Sequence, residues 1–127
     1  MVDLPDDVKR FIVENVRSVA QLEMLLLLRA NRNTLWTAES VSRALYTTPE
    51  MMAAQLAELQ ARGLLVSNEA SDRQYRYEPK TAELDRTVGE LEQIYKERRV
   101  SVISQIYSAP VDKVRTFADA FRLRKEN

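Results

Sequence analysis

The stretch that decides the fold is LWTAESVSRALYTTPEMMAAQLAELQARGLLVSNEASDRQYRYEP, residues 35–79. It holds two short segments with helical spacing, which meet at Tyr46 and Thr47. Thr37 can cap the first helix, over 38–45, because its hydroxyl accepts a hydrogen bond from a backbone N–H of the first turn. The two residues at 46–47 leave room only for a tight turn.

The second helix has equally clear end signals. Thr48 can cap it, and Pro49 stands at its first position, where the missing N–H costs nothing. The helix runs to Arg62 and ends at Gly63, the residue type best suited to a left-handed position after a helix. We therefore predict two short helices joined by a tight turn.

A two-stranded hairpin is predicted to follow the second helix. Residues 64–66 and 74–77 have strand patterns, and the polar, turn-prone segment 67–72 separates them. Leu35 and Trp36 form a further short strand pattern that can pair with the hairpin, and Trp36 is expected to be a core anchor beneath it. Helix, turn, helix and hairpin together describe a winged helix-turn-helix.

The quoted stretch resembles the winged-helix domains of small bacterial transcription regulators of the MarR/PadR-like group. Residues 95–126 are similar to the C-terminal regions of small bacterial helix-turn-helix proteins. The resemblance implies a homodimeric regulator that binds double-stranded DNA, with the second helix in the major groove. The implied contacts lie in the two helices, their turn and the hairpin: Arg43, Thr47, Thr48, Glu50, Met51, Gln55, Arg73 and Arg76.

Charge leaves a second hypothesis open. Residues 37–78 carry four basic and six acidic side chains, although DNA affinity comes largely from cations that neutralise phosphates. The same helix carries Met51, Met52, Ala53 and Ala54, and adaptable methionine-rich surfaces often contact proteins. The alternative is thus a winged-helix module that binds another protein without significant DNA binding.

Composition argues against catalysis. The 127 residues include no histidine and no cysteine, so the commonest general base, the thiol nucleophile and the usual zinc ligands are absent. Two glycines cannot form a glycine-rich phosphate loop. We expect no enzyme activity, no metal and no cofactor. With no basic-apolar leader at the N-terminus and no long apolar run, we expect a cytoplasmic protein without a membrane segment.

Two helices are predicted before the quoted stretch. Pro5, Asp6 and Asp7 suit a helix start, because proline and carboxylates are favoured at its positive end. Ser18 can cap a second helix, whose run Met24–Leu28 is apolar on all sides and is expected to form the centre of the core.

After Pro79 the pattern becomes that of a long helix capped by Thr81. If it continued to Tyr107, it would be about 40 Å long at about 1.5 Å per residue. So long an apolar seam should need a second copy of the chain, and we predict dimerisation through Leu84, Val88, Leu91, Tyr95, Val102 and Ile106. A last helix is expected from Val111, after a break at Pro110.

The predicted fold class is mainly α with a small β-wing. The expected division is a winged helix-turn-helix domain with N-terminal helices at residues 1–79, and a C-terminal helical dimerisation region at 80–127.

Overall fold

The computed structural model describes residues 4–68 and 73–107. The elements in chain order are α1 (Asp6–Asn15), α2 (Val19–Ala30), α3 (Ala38–Leu45), α4 (Pro49–Ala61), β1 (Leu65–Ser67), β2 (Tyr75–Tyr77) and α5 (Ala82–Glu97). A sixth helix, α6, covers 99–107 of the described chain. The mainly helical class with a small hairpin is confirmed. Within the described ranges, no helix is long and apolar enough to cross a membrane.

The helix-turn-helix is built as its end signals predict. Thr37 caps α3 by accepting from the N–H of Ser40 at 3.0 Å, and the hydroxyl oxygen of Ser40 accepts in turn from the N–H of Thr37. Thr48 caps α4 by accepting from the N–H of Met51 at 3.3 Å. Gly63, with φ 81°, follows the end of α4 as expected. These caps fix where each helix begins and therefore which of its side chains face the core and which face solvent.

The wing is an antiparallel pair in which Val66 stands opposite Arg76. The strand predicted at residues 35–36 was wrong in extent: only Trp36 pairs, through two backbone hydrogen bonds to Tyr75 of 2.8 and 2.7 Å. Thr37 already caps α3, so pairing cannot continue past Trp36 toward that helix. Trp36 is partly buried against the core, as expected for an anchor beneath the wing.

α2 supplies much of the core. Its buried apolar side chains are Leu22, Met24, Leu25 and Leu28, while Leu26 and Leu27 are half-buried against the same core. Ser18 caps this helix through the N–H of Gln21 at 3.0 Å. The predicted central role of α2 is confirmed.

The long C-terminal helix is interrupted. α5 ends at Glu97, and Arg98 takes a non-helical conformation (φ −137°, ψ 60°) before α6 begins. The predicted continuity to Tyr107 was therefore wrong, and the break coincides with the polar pair Arg98 and Arg99 in the apolar pattern.

The predicted dimerisation residues lie in the core of the single chain. Val88, Leu91, Val102 and Ile106 are fully buried and Tyr95 nearly so, whereas Leu84 is half-buried. The premise that these side chains need a second copy to leave water was wrong, because the break at Arg98 lets α6 join the core as well. The helix predicted from Val111 lies outside the described residues.

A network of charged groups joins the wing to the helices behind it. The hydroxyl of Tyr77 in β2 donates to Asp85 of α5 at 2.8 Å, and Arg32, just after α2, contacts the same carboxylate at 2.9 Å. Arg29 of α2 pairs with Asp85 at 3.5 Å and with Glu92, two turns further along α5. The wing, α2 and α5 therefore share one polar junction.

This junction shifts the pKa values of its members. Burial and the bond to Asp85 raise the pKa of the Tyr77 hydroxyl well above its ordinary value. Partial burial alone would raise the pKa of Asp85, but hydrogen bonds from Tyr77 and Arg32 and the charges of Arg32 and Arg29 outweigh it and lower that pKa.

Candidate nucleic-acid interface

The face of α4 that points away from the core is the centre of the candidate interface. Met52, Leu56 and Leu59 are buried, so helical geometry leaves the opposite side to solvent. The exposed residues of α4 include Glu50, Met51, Ala53 and Ala54. α4 thus presents an outward surface, as the predicted recognition helix must.

The threonines before α4 are partly committed to the fold. Thr48 uses its hydroxyl oxygen as the cap acceptor, and the Thr47 hydroxyl contacts the sulfur of Met51 at 3.8 Å. Both lie beside the N-terminus of α4, where the helix dipole favours an anion. Thr48 is exposed, and its hydroxyl donates to no acceptor within residues 4–68 and 73–107, so it suits a phosphate better than a base.

Gln55, predicted to read a base, is less available than its position suggests. The side chain is only half-exposed, and its carbonyl oxygen is buried without a hydrogen-bond partner among the described residues. Pairing with adenine needs both the amide oxygen and the amide nitrogen at the groove. The structure therefore places Gln55 beside the exposed face rather than at its centre.

Two acidic residues near the candidate interface pair with arginines. Glu58 pairs with Arg17 at 2.8 Å and with Arg62 at 3.7 Å. Glu39 and Arg43 form a pair one turn apart on α3 at 3.5 Å, with both side chains about 70% exposed. Glu58 would otherwise repel a DNA backbone, but Arg62 on the next turn of the helix and Arg17, distant in sequence, offset its charge.

The two wing arginines, both predicted to contact DNA, lie on different sides of the hairpin. Arg73 borders a groove of about 370 Å³ between the wing and the N-termini of α3 and α4, lined by Thr37, Ala38, Glu39, Pro49, Ala53, Arg73 and Tyr75. Arg76 lies beside Leu35 and Val66 on the outer face and pairs with Glu78. Only Arg73 therefore borders the exposed helix-turn-helix.

The sequence predicts only a turn at Tyr46. The structure gives it a left-handed conformation (φ 58°, ψ 49°) and leaves its side chain 95% exposed. A residue other than glycine in this region costs about 1–2 kcal/mol. The positive φ could not be read from the residue type, because glycine and asparagine are its usual signals.

The similarity of this chain to known proteins is found among solved structures. No protein-family model matches the chain. No curated protein matches it either.

Solved structures do match. A homodimeric winged helix-turn-helix DNA-binding domain, Mb0332 fragment 1–100 from Mycobacterium bovis, is 19% identical over 77% of this chain and 93% of that one, with a TM-score of 0.53. MepR of Staphylococcus aureus, a transcription regulator of the multidrug efflux pump MepA, is 15% identical over 94% and 90%, with a TM-score of 0.54.

A MepR F27L mutant bound to an oligodeoxyribonucleotide is also similar, at 15% identity over 94% of this chain and 89% of that one, with a TM-score of 0.53. At these identities the likeness concerns the fold. Together with the order of elements and the hairpin register, it shows that this chain has the winged helix-turn-helix fold.

Proposed function

We propose that this protein is a DNA-binding transcription regulator that acts as a homodimer through its winged helix-turn-helix. The observation that carries the proposal is the surface made by the outward face of α4, its capped N-terminus and Arg73. An exposed second helix flanked by a basic wing residue is the arrangement that enters a major groove. We further propose that the protein works in the bacterial cytoplasm, without a cofactor or an enzymatic reaction.

The fold neighbours support this choice of partner. One MepR structure contains an oligodeoxyribonucleotide, and the Mycobacterium bovis domain is described as homodimeric and DNA-binding. The pairing of Glu58 with Arg17, which lies outside residues 37–78, removes part of the electrostatic objection. The remaining cationic contribution is small, so we expect modest affinity with a shallow salt dependence.

Fluorescence anisotropy with a labelled duplex at low salt tests the proposal. Genomic fragments upstream of the gene and a random duplex of the same length should both bind, the former more tightly. If a folded protein binds neither, DNA binding is refuted.

Arg73→Ala and Arg76→Ala form a matched pair for the interface. Arg73 borders the groove at the helix N-termini, so its loss should weaken binding and reduce the salt slope by about one. Arg76 lies on the outer face and is paired with Glu78, so its loss should leave the slope unchanged. Equal effects of the two variants would place the DNA elsewhere on the wing.

The homodimer is a proposal about the C-terminal helices. Because the inner residues of α5 and α6 are buried within one chain, a partner would meet their outer faces, where Val100 is 77% and Tyr107 56% exposed. Val100→Glu should lower the mass measured by light scattering, whereas the same change at the exposed Ala20 of α2 should not. A wild-type mass of one chain at micromolar concentration would refute the dimer.

The second candidate function, a protein-binding module, is favoured by one observation. Tyr46 and Met51 are exposed, at 95% and 53%, within the surface that would face DNA. Exposed apolar groups of this kind also mark protein contacts. Failure to bind DNA at any salt concentration, together with a partner captured by the wild type and lost in Met51→Glu, would establish this alternative.

A further inference from the structure

Tyr46 closes α3 with a hydrogen-bond pattern that glycine usually serves. The N–H of Tyr46 and the N–H of Thr47 both bond to the carbonyl oxygen of Ser42, the second at 3.0 Å. This arrangement requires a left-handed residue between the helix and the turn. Nothing in the backbone hydrogen bonds calls for a side chain at that residue.

The chain contains its own comparison at the end of α4. There the left-handed position is Gly63, with φ 81°, and an added Cβ would lie 2.5 Å from the side chain of Lys80. At Tyr46 the chain accepts the conformational cost and places a large aromatic group in solvent instead. The left-handed position after each helix of the helix-turn-helix is therefore filled by a different residue type, tyrosine after α3 and glycine after α4.

The Tyr46 side chain contributes nothing visible to the fold. It is 95% exposed, and within residues 4–68 and 73–107 it makes no hydrogen bond, ion pair or ring contact. A strained residue that brings no packing in return points to a role outside the fold. The turn stands next to the N-terminus of α4, at the edge of the candidate interface.

The surroundings favour an anion-bearing partner. Thr47 and Thr48 place hydroxyl groups beside the positive end of the α4 dipole. A phenol adds a neutral donor and a flat apolar face, and tyrosine hydroxyls are among the groups that hold DNA phosphates. A protein partner would bury the ring but would make no special use of the helix N-terminus.

We propose that Tyr46 binds the DNA backbone, with its hydroxyl donating to a phosphate oxygen and its ring lying against the adjoining sugar. The proposal rests on the proposed DNA-binding function. It makes Tyr46 a residue selected for binding at the expense of local stability.

The test compares Tyr46→Phe and Tyr46→Asn with wild type in anisotropy titrations across several salt concentrations and in thermal melts. Loss of one hydrogen bond to a charged phosphate should weaken Tyr46→Phe about tenfold, and Tyr46→Asn should bind at least as weakly. Because tyrosine is neutral, the salt slope should not change. Asparagine tolerates the left-handed region, so its melting midpoint should equal or exceed that of wild type. Thr34→Val, which removes an exposed hydroxyl from the loop after α2, is the control and should bind as wild type does.

The outcomes distinguish a failure of the proposed DNA-binding function from a failure of the Tyr46 contact. If wild type binds no duplex, the proposed function fails and takes the Tyr46 contact with it. If wild type binds and either Tyr46 variant matches its affinity, the Tyr46 proposal alone is overturned. A lower melting midpoint for Tyr46→Asn would assign the side chain to the fold and also overturn it. A protein captured by wild type and lost in Tyr46→Asn, with DNA affinity unchanged, would assign the ring to a protein partner instead.

Discussion

Leu91→Ala measures whether the inner face of α5 belongs to one chain or to an interface between two. Leu91 is fully buried within the single chain. Replacing a buried leucine with alanine costs about 2–5 kcal/mol, since both the transfer term and the cavity act against the fold. We expect a loss near 3 kcal/mol, a large part of the roughly 5–15 kcal/mol that a domain of this size has.

Urea unfolding, followed by circular dichroism, gives the required number. With a slope of about 2 kcal/mol per molar, a loss near 3 kcal/mol lowers the midpoint by about 1.5 M. The protomer itself should show this loss, so it should persist when the protein concentration changes a hundredfold. Leu35→Ala makes the same chemical change at a leucine that is 47% exposed, and it should cost much less.

One result would refute the burial of Leu91 within a single chain. If Leu91 lay in an intermolecular seam, Leu91→Ala would raise the dimer dissociation constant while the isolated protomer kept its stability. Sedimentation equilibrium of both variants separates these cases. Equal losses for Leu91→Ala and Leu35→Ala would also contradict the burial on which the prediction stands.

Three further predictions concern α4 and the polar junction. Thr48→Ala removes the cap of α4 and should cost about 1 kcal/mol in urea unfolding, whereas Thr48→Ser should restore most of it. Glu50→Gln removes a carboxylate from the exposed face of α4 and should raise DNA affinity about threefold at low salt, less at high salt; unchanged affinity would place the DNA away from this turn. Asp85→Asn should destabilise the fold at pH 7. Because the folded pKa of Asp85 lies below its ordinary value of 3.8, its stabilisation is complete above that value and is lost as the pH falls through the folded pKa. The destabilisation by Asp85→Asn should therefore shrink in unfolding curves below pH 4, and a constant difference would contradict the assignment.

Local signals predicted the fold well because each is physically complete within a few residues. Thr37, Thr48 and Gly63 mark helix ends through hydrogen bonds and backbone geometry that involve near neighbours, and all three act as predicted. The buried stripe of α4 followed from its spacing for the same reason. The helix-turn-helix could thus be located to within a residue or two.

Tertiary relations were harder to predict. An apolar seam on α5 looks the same in sequence whether it faces its own core or a second chain, so burial of Leu91 in one chain could not be foreseen. The wing arginines differ by three positions, and only the course of the hairpin separates Arg73 from Arg76. Glu58 meets Arg17 across more than forty residues, a pairing that depends on how α1, α2 and α4 pack.

The junction around Asp85 has a mechanical consequence. One carboxylate holds Tyr77 at the base of the wing and Arg32 behind α2, while Arg29 reaches from α2 past Gly89 to Glu92. A Cβ at Gly89 would lie 2.8 Å from the Arg29 guanidinium, so this group lies directly over the α5 backbone at that residue. Because Asp85 of α5 contacts both Tyr77 in the wing and Arg32 after α2, a tilt of α5 would disturb the base of the wing and the end of α2 together.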